Sequence, residues 1–170
     1  MEYYCSVQYS YDEMTDSIVD NIWEFIEVKF SGVRKPTSSE EVGALTSPPA
    51  SVQGIISLLD DDENLDLYRS IGIPFLHIAV KGGTSPTSTQ VQEAISFQES
   101  LNGLVAVHCT NGRRRTGTLL GAIYIHLMKS NSSCGALLFD NMKAQLLASK
   151  PDCDLREGQW EYLKALALSE

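Results

Sequence analysis

The chain has 170 residues, enough for one domain with a substantial core. Its 43% hydrophobic and 21% charged residues are ordinary globular values and exclude disorder as its governing feature. Thirteen basic against 22 acidic residues leave a net charge of −9, a field that repels nucleic acid, acidic lipid surfaces and polyphosphates alike.

A single domain over residues 1–170 is therefore expected. The start, Met1-Glu2-Tyr3-Tyr4-Cys5, does not read as a leader, and no apolar run approaches membrane-spanning length. The expectation is a cytoplasmic monomer. Cys5, Cys109, Cys134 and Cys153 are widely spaced, with no Cys-x-x-Cys pair and no Cys/His metal spacing. That pattern points to neither structural disulfides nor a metal site, and no cofactor is expected.

Tyr3 to Tyr11 alternates weakly and reads as an edge strand, and Ile22 to Val28, bounded by Ser31-Gly32, as the strand that opens the sheet. Ser38 with Glu41 three residues on is a capping-box pattern, which starts a short helix ending near Thr46. Ser47-Pro48-Pro49 then forces an exposed connection. Val52 to Leu59 reads as a central buried strand closed by the acidic run Asp60-Asp61-Asp62-Glu63. Leu65 to Ile71 predicts a short helix, and Ile73 to Val80 the next strand, in which His77 is read as a packed, hydrogen-bonded histidine.

After the loop Lys81-Gly82-Gly83-Thr84-Ser85-Pro86, Thr87 and Gln90 form a second capping box. Val91, Ala94, Ile95 and Gln98 then repeat at helical spacing until Gly103 stops them. Leu104 to Val107 is a strand, and Thr116 to Met128 a nearly all-buried helix in which His126 is structural. Cys134 to Met142 and Trp160 to Ala167 mark two more helices. Strands alternating with helices give an α/β, three-layer fold with a small, mostly parallel sheet of four or five strands.

The informative stretch is His108-Cys109-Thr110-Asn111-Gly112-Arg113-Arg114-Arg115-Thr116-Gly117, placed between that strand and that helix. A tight loop from Cys109 to Arg115 can aim successive N–H groups at one small anion. The helix adds its positive end. Amide dipoles, a helix end and a guanidinium all favour a thiolate at Cys109, and cysteines so placed have pKa values of roughly 3.5 to 7.5. Arg115 offers a planar fork that fits two phosphoryl oxygens.

This stretch resembles the His-Cys-five residues-Arg-Thr signature of the cysteine-based protein tyrosine and dual-specificity phosphatases, chiefly the small bacterial, archaeal and atypical ones. The resemblance implies the compact phosphatase core and assigns roles. Cys109 attacks phosphorus to give a phosphocysteine, Arg115 binds the phosphate, Thr116 eases departure of the thiolate and His108 tunes it. Thr110, Asn111, Gly112, Arg113 and Arg114 complete the phosphate-binding loop. The stretch Leu76 to Pro86 is similar to the loop that carries the general acid in such relatives, and Lys150-Pro151 through Gln159 to their Arg-Pro segment and terminal helix.

One departure matters. Where those relatives carry an Asp, this chain has Gly82, with Lys81 beside it. Glu63, or failing that Asp61 or Asp62, is the candidate surrogate acid. The expected activity is hydrolysis of phosphate monoesters, phosphotyrosine first and phosphoserine or phosphothreonine with it, on a phosphorylated protein or a small-molecule phosphate. A second reading takes polyanionic substrates, inositol phosphates or 5′-triphosphates, with Lys81, Arg113 and Arg114 as extra clamps. A third is a weakly active phosphate-binding module.

Overall fold

The computed structural model describes residues 17–26, 29–131 and 134–169. The expected edge strand at Tyr3 to Tyr11 lies outside them. Among the described residues five strands form one sheet: β1 (Trp23–Phe25), β2 (Phe30–Val33), β3 (Gly54–Ser57), β4 (Phe75–His77) and β5 (Val105–His108). Their order is β1-β2-β5-β3-β4, with β1 antiparallel to β2 and every other pairing parallel. Six α-helices flank it: α1 (Ser39–Thr46), α2 (Leu65–Ile71), α3 (Ser88–Leu101), α4 (Arg114–Met128), α5 (Gly135–Ser149) and α6 (Glu157–Leu168).

Side chains of successive strand residues leave opposite faces, and the core divides accordingly. Ile56, Val105 and Val107 pack with Leu119, Ile123, Met142 and Leu163 of α4, α5 and α6. Val33, Ile55 and Ala106 pack instead with Val42, Leu45 and Tyr68 of α1 and α2. Three layers result. α4 is buried along most of its length because it lies between the sheet and the α5–α6 pair. Near its end His126 is exposed and outside that core, contrary to the expected structural role.

The sheet's opening differs from expectation. Ser31-Gly32 does not end a strand; it lies inside β2, a wholly buried strand paired on both sides. The turn comes earlier, at Ile26, whose φ is +58°. Gly32 is required by its neighbour, since a Cβ there would overlap the Trp23 indole lying across it. A glycine that reads locally as a turn is thus a packing site in a central strand. α3 stops at Asn102, left-handed with φ +51°, rather than at Gly103. Both helix starts hold. Ser38 accepts the Glu41 N–H (3.3 Å), and Thr87 with Gln90 makes a complete capping box.

The parallel strands all end on one edge, which gathers the segments following β2, β3, β4 and β5. Trp23 serves that edge too. Its Nε1–H donates to the carbonyl of Gly112 (3.2 Å) in the segment after β5. Gly32→Ala should displace the indole, costing about 1–3 kcal/mol of overpacking in urea unfolding and loosening the Gly112 contact. An unchanged unfolding midpoint would show that the ring is not confined there.

Candidate active site

β5 delivers His108 and Cys109, and α4 begins at Arg114, so the expected loop is five residues of non-helical backbone from Cys109 to Arg113. Gly112 turns it with φ +63°, and a Cβ there would run into the Val33 carbonyl and the Arg34 amide. The loop therefore rests on the end of β2. The Lys35 N–H donates to the Thr110 carbonyl (3.1 Å), tying the two together.

Cys109 is buried at the bottom of a cleft of about 460 Å³ lined by Gly82, Gly83, Thr110, Asn111, Arg113, Arg114, Arg115, Asp154 and Arg156. Burial pushes its thiol pKa up. Hydrogen bonds from the Thr116 hydroxyl, then from the backbone of Thr116 and Arg113, together with the Arg115 charge, outweigh burial and leave it below the ordinary value. Among the described residues the buried Thr116 hydroxyl has no other hydrogen-bond partner. Cys153, also buried, has the opposite balance. Burial pushes its pKa up to about 12, and it donates to the Arg113 carbonyl (3.5 Å) as an inert thiol beneath the loop.

Arg115 is held from behind. Its Nη1 donates to the carbonyls of Leu58 (3.0 Å) and Val80 (3.0 Å) and to Asp60 Oδ1 (3.1 Å), and Nη2 to Thr110 Oγ1 (3.2 Å). Of five guanidinium protons, Nε–H and one on Nη2 remain. They form the side-on edge that matches two phosphoryl oxygens.

His108 does not face the thiol. It lies on the opposite face of β5, where Nδ1 meets the Cys109 carbonyl (3.1 Å) and Nε2 meets the Tyr68 hydroxyl (2.7 Å). A carbonyl only accepts, so Nδ1 carries the proton and Nε2 accepts from Tyr68. Burial lowers the His108 pKa to about 4, keeping it neutral. His108 thus fixes the backbone of Cys109 and acts on the thiol only through it.

The other expected residues divide. Glu63 is ion-paired with Lys35 (2.7 Å), Asp61 caps the Glu63 N–H (3.2 Å), and Asp62 is exposed; none of the three lines the cleft. The neighbour that does reach the site is Asp60, with its own backbone hydrogen bond and Arg115 holding its pKa below the usual range. It is a carboxylate, without a proton to give. Arg113 and Arg114 both line the cleft, each beside a carboxylate, Arg113 with Asp152 (3.0 Å) and Arg114 with Asp154. Lys81 is exposed outside the cleft lining, and Arg156 lines it instead.

Gly82 and Gly83 do cover the cleft, where the acid loop was expected. Gln159 braces that loop, donating to the Thr84 carbonyl (3.1 Å) and accepting the Arg156 N–H (3.0 Å). Sequence reasoning missed Asp60, Asp154 and Arg156. Asp60 at the end of a strand was the readable one, since it heads the acidic run. His77 is half-buried with Nε2 on the Leu59 carbonyl (2.9 Å), as a structural histidine should be.

The profile of the family described as "Polymorphic toxin system, DSP-PTPase phosphatase" matches residues 34–129, more than half of the chain and all of the loop. The chain belongs to this phosphatase family. The sequence is similar to tyrosine-protein phosphatase CDC14 of Saccharomyces cerevisiae, 33% identical over 94 residues, 52% of this chain and 17% of that protein. It is also 45% identical over 47 residues to dual specificity protein phosphatase CDC14B of Mus musculus, 28% of this chain and 9% of that protein. The matched stretch is thus a small part of these relatives' length. The fold is similar to that of Tk-PTP in its active form (TM-score 0.69, 24% identity, 86% of this chain and 96% of that one). PTPMT1 is also similar (0.64, 21%, 85% and 93%).

His108 generates a prediction about stability. A folded-state pKa depressed from 6.5 to about 4 supports stability above the unfolded value and loses it as pH falls through that window. The share is about 3 kcal/mol. Urea unfolding at several pH values should show His108→Gln lacking this part of the acid slope. Identical slopes for parent and variant between pH 7 and 4 would mean that His108 is not held neutral.

Proposed function

We propose that this chain is a phosphatase that passes the phosphoryl group of a phosphate monoester first to Cys109 and then to water. The observation that carries the proposal is the pairing, in one cleft, of a thiol whose pKa is lowered with the Arg115 guanidinium whose charge helps to lower it. Thiolate attack forms the S–P bond as the ester oxygen departs with its electron pair. The amides of the loop, the N-terminal end of α4 and Arg115 take up charge on the three equatorial oxygens as they flatten. Water then replaces sulfur on phosphorus, and Thr116 stabilises the returning thiolate through the hydrogen bond that already lowers its pKa.

Among phosphate monoesters, phosphotyrosine and other aryl phosphates react fastest in this proposal, with phosphoserine and phosphothreonine at lower rates. The Cys109 thiolate works only in a reducing compartment such as the cytoplasm, because oxidation would stop turnover. Among the described residues no group of three or more His, Cys, Asp or Glu is placed to hold a metal ion, and no helix is long and apolar enough to cross a membrane.

A leaving-group series tests the proposal. Cys109→Ser should abolish turnover while still binding phosphate, and Arg115→Lys should lower kcat/KM by roughly 10²- to 10³-fold, because a point charge does not replace the fork. Gly82 takes a side chain without clash, since a Cβ there meets nothing within 4 Å. Gly82→Asp should therefore raise hydrolysis of alkyl phosphates more than of aryl phosphates, toward the roughly 10²- to 10⁴-fold that a positioned acid supplies. Near-parent turnover in Cys109→Ser would overturn the mechanism.

A further inference from the structure

The cleft is cationic on an acidic protein. Its lining holds four arginines, Arg113, Arg114, Arg115 and Arg156, and one carboxylate, Asp154. Three of the four are already engaged: Arg113 with Asp152, Arg114 with Asp154 and Arg115 with Asp60. Among the described residues no carboxylate lies within 4.0 Å of the Arg156 guanidinium. Arg156 is the uncommitted cation of the site.

Its position is set by the loop that should carry the acid. Nη1 of Arg156 occupies the space a Cβ at Gly83 would fill, and Gly83 itself is left-handed with φ +84°. The buried Gln159 accepts the Arg156 backbone N–H and donates to Thr84, which ties the backbone of Arg156 to that same loop, while its side chain stays exposed. A cation therefore stands next to the place where a departing oxygen would otherwise receive a proton. Among the described residues no side chain of the lining can supply that proton, since Asp154 is kept ionised by Arg114. Among the described residues the lining also holds no aromatic or aliphatic side chain that could sandwich a phenyl ring.

We propose that Arg156 clamps the leaving group of this site and that its preferred substrate is a phosphoanhydride, whose leaving group is itself a phosphate. The proposal rests on the phosphocysteine chemistry above and names its substrate class. The Cys109 thiolate attacks the terminal phosphorus and forms the S–P bond. The bond from that phosphorus to the bridging oxygen breaks, and its electron pair leaves on a phosphate anion that needs no proton. Arg156 binds that anion with a charge-assisted, bidentate fork. Water then attacks the phosphocysteine, restoring the thiolate and releasing inorganic phosphate and one proton.

Inorganic tripolyphosphate, p-nitrophenyl phosphate and a phosphoserine peptide should be compared on the full chain in the presence of a chelator, with Cys109→Ser as the blank. Tripolyphosphate should turn over at least as efficiently as the aryl ester and far faster than the peptide. Arg156→Ala should lose about 10- to 100-fold more kcat/KM on tripolyphosphate than on the aryl ester, with Arg156→Lys between. Aryl-ester turnover reports that each variant is folded. Equal losses on both substrates, or none on either, would overturn the clamp. Aryl-ester turnover without tripolyphosphate turnover would overturn the substrate class while leaving the phosphocysteine reading intact. Loss of Cys109-dependent turnover on all three would overturn that reading instead.

Discussion

The segments that follow three parallel strands meet on one guanidinium. Arg115, the second residue of α4, gives its Nη1 protons to the backbone leaving β3, to the backbone leaving β4 and to Asp60, and a proton of Nη2 to the loop after β5. Each of those carbonyls would otherwise be an orphan acceptor near the end of a parallel strand, where burial without a partner costs about 1–3 kcal/mol. The same contacts decide which edge of the guanidinium is left facing the cleft. Stability of the sheet edge and orientation of the anion fork are one arrangement, which is why the charge-conserving lysine is no substitute.

The loop is fixed from its far side by contacts that touch no substrate. Trp23 holds the Gly112 carbonyl from β1, Lys35 holds Thr110, and His108 with Tyr68 holds the carbonyl of Cys109 itself. Cys153 fills the space beneath Arg113. These anchors leave the thiolate of Cys109 and the hydroxyl of Thr116 as the parts that change bonding during turnover. An amide cradle helps only if it is already in place when charge develops, and each anchor keeps one end of it from relaxing.

How much of this was legible follows from range along the chain. The strand, loop and helix from His108 to Gly117 were readable because the chemistry and its scaffold are contiguous. The two N-caps, at Ser38 and Thr87, were readable for the same reason. β2 was misread because Gly32 is explained by Trp23, a partner across the hairpin, and local pattern gives a glycine after serine as a turn. The partners of two expected clamps were hidden for an equivalent reason. Arg113 and Arg114 look free in a run of three, but Asp152 and Asp154, about forty residues on, neutralise them. Arg156 has no local signal at all until the chain folds it against Gly83. The acidic run pointed to the right loop and the wrong members. Asp60, though exposed, meets Arg115 as the strand ends, and the three that follow face solvent or Lys35.

What remains central is that the sulfur of Cys109 carries the phosphoryl group. Rapid acid quench of the full chain during turnover, followed by peptide mass analysis, tests this directly. The account requires a mass increase of one phosphoryl group on the peptide containing Cys109, transient in the parent chain, absent from Cys109→Ser and not found on peptides containing Cys134 or Cys153. Turnover with no such adduct at any time, or an adduct that persists in Cys109→Ser, would contradict it.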